Sequence, residues 1–299
     1  MATISGTVRD ANGALAEDVL VRAYRRDTGE PLGSALTGDG SEAVLGDEYF
    51  ESVKLLCIMQ GANGSASFTD ASLAARTITA EGAPHITSDV GPWSSGGSAV
   101  FDGSSDGLYT NGDSSDFASG TGDFTVEALV RPSSVSGIRC LFDLRPYGQG
   151  AYPLLYLNGN QPTCFVDSAN MTAGGSVGTD EFALVSWRRT NGLSSLWVNE
   201  TQVASVADTH AYYAGYDRPY IARGFDGYRF AGHIAGVRFT RVARPIVYPA
   251  APWPAFGAIP AKPLGQYAIE VAYTGLVDLR YYAPDGSNLP DLTNTVDVP

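Results

Sequence analysis

Two short segments of strand-like pattern stand at opposite ends of this chain, and neither is long enough to bury a core alone. Residues 1 to 40 give three short runs, 4–9, 19–24 and 32–37, separated by turn residues at 10–13 and 27–31. Asn-Gly and Asp-x-Gly punctuation of this kind suits antiparallel hairpins. A clean alternating run stands near the other end, where 265–273 places Tyr267, Ile269, Val271 and Tyr273 on one face. A Thr274-Gly275 turn then leads into 276–282, and the chain closes on 294–299. Each half has about 35–40 residues, whereas about 75 together could enclose a small core. The sequence therefore predicts a small sandwich interrupted at a hairpin tip, a place where insertions are tolerated.

The interrupting segment is itself a succession of short apolar runs: 53–59, 99–103, 122–132, 182–188, 195–199, 220–223 and 232–244. Phe124, Val126, Ala128 and Val130 share one strand face. Asn191-Gly192 is a tight-turn signal, and Asn199-Glu200 stands at a second turn. The charged fraction of only 17%, with Gly 35 and Tyr 16, fits a turn-rich all-β chain, since long helices want more Ala, Glu, Lys and Leu at helical spacing. The junctions differ in character. The first, 41–52, is acidic; the second, 248–263, is proline-rich and stiffened accordingly. Trp253 in the second junction is expected to wedge between the two sandwiches.

The order of the central runs resembles the concanavalin A-like, laminin G-like jelly rolls found in phage structural proteins and adhesins. The end halves are similar to a carboxypeptidase regulatory-like, immunoglobulin-like sandwich, through Gly6-Thr7-Val8, Val21-Arg22-Ala23-Tyr24 and the Thr37–Gly40 turn. The resemblance implies an all-β fold. A small immunoglobulin-like β-sandwich (1–40 and 264–299) is interrupted by a larger concanavalin A-like jelly roll (53–247), with linkers at 41–52 and 248–263. It also implies that the first and last strands of the jelly roll are neighbours, so that the ends of the insertion meet.

Net charge is −13, which disfavours nucleic acid and anionic membranes as partners. Cys57, Cys140 and Cys164 are odd in number and fit no metal ribbon, so buried free thiols are expected. No apolar run reaches spanning length and no leader pattern opens the chain, so folding in a cytoplasm is expected.

Glycoside hydrolysis needs two flanking carboxylates. Asp123 and Glu127 share a strand face, but Asp123 sits beside turn residues and the pair fits the non-enzymatic jelly-roll pattern. The oxygen-rich run with Asp102, Asp106, Asp113 and Asp116 lacks calcium-loop spacing and reads as Asx turns. His85, His210 and His233 are scattered and accompany no hydrolase motif. No catalytic residue, metal or cofactor is therefore assigned. Carbohydrate binding is the stronger candidate, because sugars dock on aromatic faces with polar groups beside them. Two tyrosine-rich stretches offer such faces, and the candidate ligand-binding residues are Tyr147, Tyr152, Tyr212, Tyr213, Tyr216, Asp217 and Arg218.

The resemblance implies a non-enzymatic phage virion structural protein on the particle exterior, its jelly roll serving as an adhesion or glycan-binding module. Capsid decoration is favoured over a tail or baseplate accessory role, because the chain is acidic and lacks heptads or fibre repeats. Expected partners are other virion proteins, which would hold it as an oligomer, and host-surface glycans; nucleic acid and membrane insertion are not expected. The expected location is the virion, assembled in the host cytoplasm. The alternatives are a depolymerase or glucanase-like enzyme and a structural spacer without a ligand.

Overall fold

The computed structural model describes residues 2–8, 19–36, 47–94, 96–112, 114–146, 150–166, 169–254, 266–271, 273–282 and 294–298. Among these the structure is nearly all-β, with antiparallel sheets, two short 3-10 turns and no α-helix. The chain divides into two compact units: Met1–Gly46 with Ala258–Pro299, and Asp47–Gly257.

In the smaller unit the strands of the first half are β1 (Ala2–Thr7), β2 (Leu20–Arg25) and β3 (Pro31–Leu36). In the larger unit follow β4 (Val53–Ile58), β5 (Ile78–Glu81), β6 (His85–Thr87), β7 (Ser98–Asp102), β8 (Gly107–Thr110), β9 (Phe124–Pro132) and β10 (Ile138–Asp143). The same unit continues with β11 (Leu154–Asn158), β12 (Gln161–Val166), β13 (Ala169–Ala173), β14 (Ala183–Thr190) and β15 (Leu193–Val198). It ends with β16 (Thr201–Ala207), β17 (Tyr220–Ile221) and β18 (Ala231–Thr240). The smaller unit resumes with β19 (Gln266–Val271), β20 (Gly275–Tyr282) and β21 (Asn294–Val298).

The smaller unit pairs strands from the two ends of the chain. β1 pairs with β19, and a second sheet runs β21-β20-β2-β3. Ile4 and Ile269 from the first sheet share a core with Val21, Ala23, Val277, Leu279 and Tyr281 from the second. The two junction linkers predicted from sequence fall mostly outside the described residues.

The larger unit is a sandwich of two sheets, ordered β16-β15-β14-β9-β18-β7-β6, with β4 also on β18, and β13-β12-β11-β10-β17-β8-β5. β4 and β18 are antiparallel neighbours, so the first and last strands of this unit lie side by side. Phe124, Val126, Ala128 and Val130 of β9 all point into the core between the sheets, as their alternation predicts. An aromatic cluster fills its centre. Phe239 stacks with Phe124 at 5.9 Å and with Phe142 at 5.8 Å, and meets Phe117 edge-on at 5.3 Å. Asn191 and Gly192 both take positive φ, 49° and 74°, as a two-residue hairpin turn requires. Asn199 does the same at the next turn, with φ 54°, and its side-chain oxygen accepts from the Leu184 amide.

The outer face of the eight-stranded sheet is also covered, by Phe50, Ile246 and Trp253 over Leu56, Leu129, Leu184 and Ala235. Trp253 lies flat against this sheet. Its ring occupies the space where a Cβ on Gly236 would fall, 2.9 Å away, and the Arg238 guanidinium sits 4.4 Å above its centroid. Trp253 thus serves as a cover on the larger unit's own sheet. Arg238 also donates to Asp47 at 2.7 Å, so one side chain contacts residues near both ends of this unit. Among the described residues the outer face of the seven-stranded sheet carries a smaller cluster of Cys140, Leu154 and Tyr156.

Candidate functional site

Strand register builds a cleft on that outer face. In β11, Leu155 and Leu157 enter the core, which leaves Leu154 and Tyr156 pointing the other way. Cross-strand partners extend these into rows: Asp143, Leu154 and Phe165 in one, Cys140, Tyr156 and Thr163 in the next. A bulge at Leu141 sets the rows on β10. It sends both Leu141 and Phe142 into the core and leaves Cys140 and Asp143, three apart, on the outer face.

The wall of the cleft is a tight excursion of the chain after β17. Arg223 and Arg229 bridge, the Gly224 amide donates to the Tyr228 carbonyl at 2.7 Å, and Gly227 turns the chain with φ 85°. This small hairpin presents Phe225, Asp226 and Tyr228, and the Phe225 amide donates to Asp143 Oδ2 at 2.8 Å. The resulting cleft, about 120 Å³, has Ile138, Cys140, Leu154, Tyr156 and Phe165 as its apolar surface and Arg145, Asp226 and Tyr228 as its polar rim. Tyr228 is 46% exposed and is the accessible aromatic face; Tyr156 is buried and donates its hydroxyl to Asn170 at 2.8 Å.

A charged triad fixes the rim. Arg145 Nε donates to Asp143 Oδ1 at 2.9 Å and Nη2 donates to Asp143 Oδ2 at 2.8 Å. The same Nη2 donates to Asp226 Oδ2 at 3.0 Å. Burial works against the Arg145 charge, but bonds from both carboxylates raise its pKa above the ordinary guanidinium value. The Asp143 side chain is wholly buried, whereas that of Asp226 is 34% exposed.

The residues singled out in the sequence fall into three groups. Tyr152 and Tyr213 come together, their ring centroids 6.1 Å apart, and the Tyr213 amide donates to the Ala151 carbonyl at 2.9 Å. Tyr213 and Tyr216 are well exposed. Tyr212, by contrast, belongs to the core: it packs edge-on against Phe124 and Trp187, and its hydroxyl donates to Asp208 Oδ2 at 2.6 Å. Arg218 is buried over the Tyr220 ring at 3.9 Å, with Nε donating to the Arg145 carbonyl at 2.9 Å. Asp217 accepts from the Gly112 amide at 2.6 Å. All three hold the loop in shape; buried Tyr212 and Arg218 are corrected from ligand contacts to structural ones, while Asp217 is only half-buried. Tyr147 lies outside the described residues.

Other candidate chemistry is committed elsewhere. Asp123 Oδ1 accepts from the Asn191 amide at the hairpin turn, 2.8 Å away. Glu127 is buried on the opposite sheet and accepts from Arg238 at 2.8 Å and Arg244 at 2.7 Å. Asp102 accepts from the amides of Ser104, Ser105 and Asp106 and from both serine hydroxyls. Those bonds, the Ser104 hydroxyl foremost, hold its carboxyl well below the usual carboxylate range. Asp106 caps Ala83, and Asp116 pairs with Arg76. The Ser194, Asp208 and His210 constellation is no nucleophilic triad, because buried Ser194 donates to Asp208 rather than to the histidine.

Residues 102–245 match the model of the concanavalin A-like lectin/glucanases superfamily. The larger unit carries a concanavalin A-like jelly roll. A solved structure similar to the chain is the binding domain of botulinum neurotoxin serotype D/C, with TM-score 0.50 at 8% identity, covering 66% of this chain and 50% of that one. The binding domain of serotype C1 matches with the same four values. The D/C binding domain in complex with SialylT gives TM-score 0.50 at 9% identity, covering 66% of this chain and 49% of that one. The chain thus spans about half the length of these binding domains. No curated protein matches it.

Sequence reasoning passed over the cleft on the jelly roll. Its signal was the Asp226-Gly227 turn flanked by Phe225 and Tyr228, a tight turn bearing two aromatics directly after a strand.

Proposed function

We propose that this chain is a non-enzymatic carbohydrate-binding protein carried on the exterior of a phage particle, with the cleft beside Tyr228 as its glycan site. The observation that carries the binding reading is the cleft itself: an exposed tyrosine face above an apolar floor, with a fixed carboxylate–guanidinium pair at the rim. Sugars stack their C–H faces on such rings while their hydroxyls pair with rim groups. One of the similar binding domains was solved in complex with SialylT, which agrees with a glycan-binding use of this fold. Tyr152, Tyr213 and Tyr216 supply a second aromatic surface that extends contact with a longer glycan or with a neighbouring virion protein.

The virion assignment rests on the resemblance and on the acidic chain without fibre repeats. Capsid decoration is preferred to a tail or baseplate role. Host-surface glycans and other virion proteins are the proposed partners. An enzymatic use of the cleft is disfavoured, because Asp143 is buried and both its oxygens are bonded, leaving Asp226 without a second free carboxylate among the described residues.

Two measurements test this. A glycan array with the whole chain and with Tyr228→Ala should show binding that the variant loses by tenfold or more; binding indifferent to Tyr228 places the site elsewhere. Immunogold labelling of intact particles should decorate the head. Label at the tail tip replaces decoration by a receptor-binding role, and particles without label sink the virion reading.

A further inference from the structure

Which sugars the cleft takes follows from how Arg145 is used, and this step rests on the glycan-binding reading above. An arginine recognises a carboxylate best through two parallel N–H donors on one edge of its fork. On Arg145 the edge made by Nε and Nη2 is already filled by Asp143, with contacts of 2.9 and 2.8 Å. The other edge needs Nη1 together with the second Nη2 hydrogen, and Nη2 also donates to Asp226 at 3.0 Å. Neither edge has both its donors open, so an incoming carboxylate cannot be held by two parallel bonds. What the rim offers a ligand is the 34% exposed Asp226 carboxylate. Among the described residues no donor meets its Oδ1, so it accepts from a ligand and repels an anion.

Gly224 keeps that carboxylate in place. A Cβ there would fall 2.6 Å from Asp226 Oδ1 and 3.5 Å from Asp143 Oδ2, so a larger residue displaces the carboxylate from its seat beside Arg145. The remaining cleft groups are a phenol at Tyr228, a phenol at Tyr156 already bonded to Asn170, and the buried Cys140 thiol, whose pKa burial raises. None of them carries a compensating positive charge.

We infer that the cleft selects neutral sugars, through hydroxyl donation to Asp226 and stacking on Tyr228, and rejects sialylated and uronic-acid glycans. The arrangement is a built-in competitor: the protein's own two carboxylates occupy the guanidinium that an acidic sugar would require.

The test is calorimetric titration of the full chain with neutral gluco-, galacto- and manno-oligosaccharides, and with sialyllactose and oligogalacturonate at equal concentration. The same titrations are made on Asp226→Ala, Asp226→Asn, Gly224→Ala and Tyr228→Ala, with thermal unfolding as the fold control. The expected result is binding of a neutral oligosaccharide that falls tenfold or more in Asp226→Ala and in Gly224→Ala. Asp226→Ala should also gain measurable affinity for the acidic ligands, because one edge of Arg145 is then released. Wild-type preference for sialyllactose or oligogalacturonate, lost in Tyr228→Ala, overturns the neutral-sugar inference while leaving a glycan site in the cleft. Neutral binding unchanged by both Asp226 variants overturns the role given to Asp226. Absence of binding to either class defeats the glycan-binding reading and this inference with it.

Discussion

Tyr212→Phe is the sharpest probe of which tyrosines of the loop are structural. The substitution keeps the ring against Phe124 at 5.1 Å and Trp187 at 5.6 Å, so packing is preserved and only the hydroxyl is lost. That hydroxyl donates to Asp208 Oδ2, which also accepts from Ser194 and lies 3.3 Å from Arg189. A hydrogen bond to a charged group contributes about 1.5–3 kcal/mol. Because Asp208 keeps its other partners, the lower part of that range applies, about 1.5–2 kcal/mol. For a unit of this size that lowers Tm by roughly 3–8 °C. Burial pushes the Asp208 carboxyl up, but bonds from Ser194, Tyr212 and His210 outweigh it and hold the group below its ordinary value. Stability drawn from a depressed carboxyl is present above its unfolded pKa and lost as pH falls through the folded one. The deficit of Tyr212→Phe should therefore be full at pH 7 and shrink in acid. Urea unfolding followed by tryptophan fluorescence, in which Trp187 reports on the site directly, measures it at both pH values. A change under about 0.5 kcal/mol at pH 7, the size expected for surface substitutions, refutes the core assignment. So does a deficit that stays constant into acid.

Other outcomes follow from the same packing. Tyr213→Ala, at a site 55% exposed, should leave urea stability within about 0.5 kcal/mol. Phe239→Ala removes the ring shared by three aromatic neighbours and should cost about 3–5 kcal/mol by chemical denaturation. Glu127 has its carboxyl pushed up by burial, to about 7, against the pull of Arg244. Between its ordinary value of 4.5 and 7 the native state holds a proton that the unfolded state has lost, so stability from this group falls as pH rises through that window. Glu127→Gln lacks that slope, and its stability relative to wild type should improve by about 3 kcal/mol from pH 4.5 to 8 in paired urea titrations. Gly236→Ala places a Cβ 2.9 Å from the Trp253 ring and should quench or shift the fluorescence of that tryptophan while leaving the cleft's ligand binding intact.

Much of the architecture was legible because strand patterns are local. Period-two alternation in 124–130 named the core face of β9, and Asn191-Gly192 named the β14–β15 hairpin, since both depend only on neighbouring residues and backbone sterics. The interrupted order of the end segments likewise announced strands belonging together, and β1 and β19 are hydrogen-bonded neighbours. The site was less legible. Tyr212 and Tyr213 are adjacent in a tyrosine-rich loop and look alike in sequence, yet one is wholly buried and the other exposed. The side each takes is set by distant residues, Asp208 and Phe124 for the first, Ala151 and Tyr152 for the second.

The sequence by itself thus determined the nearly all-β character of the described residues, where their turns fall and which alternating faces are apolar. Tertiary structure alone decided that the bulge at Leu141 turns Asp143 outward, that Arg145 is shared between Asp143 and Asp226, and that Tyr228 stands over the cleft. The physical reason is range. Backbone preference and side-chain period act over a few residues, whereas the rim of the cleft joins groups some eighty positions apart, brought together only by the pairing of β10 with β17.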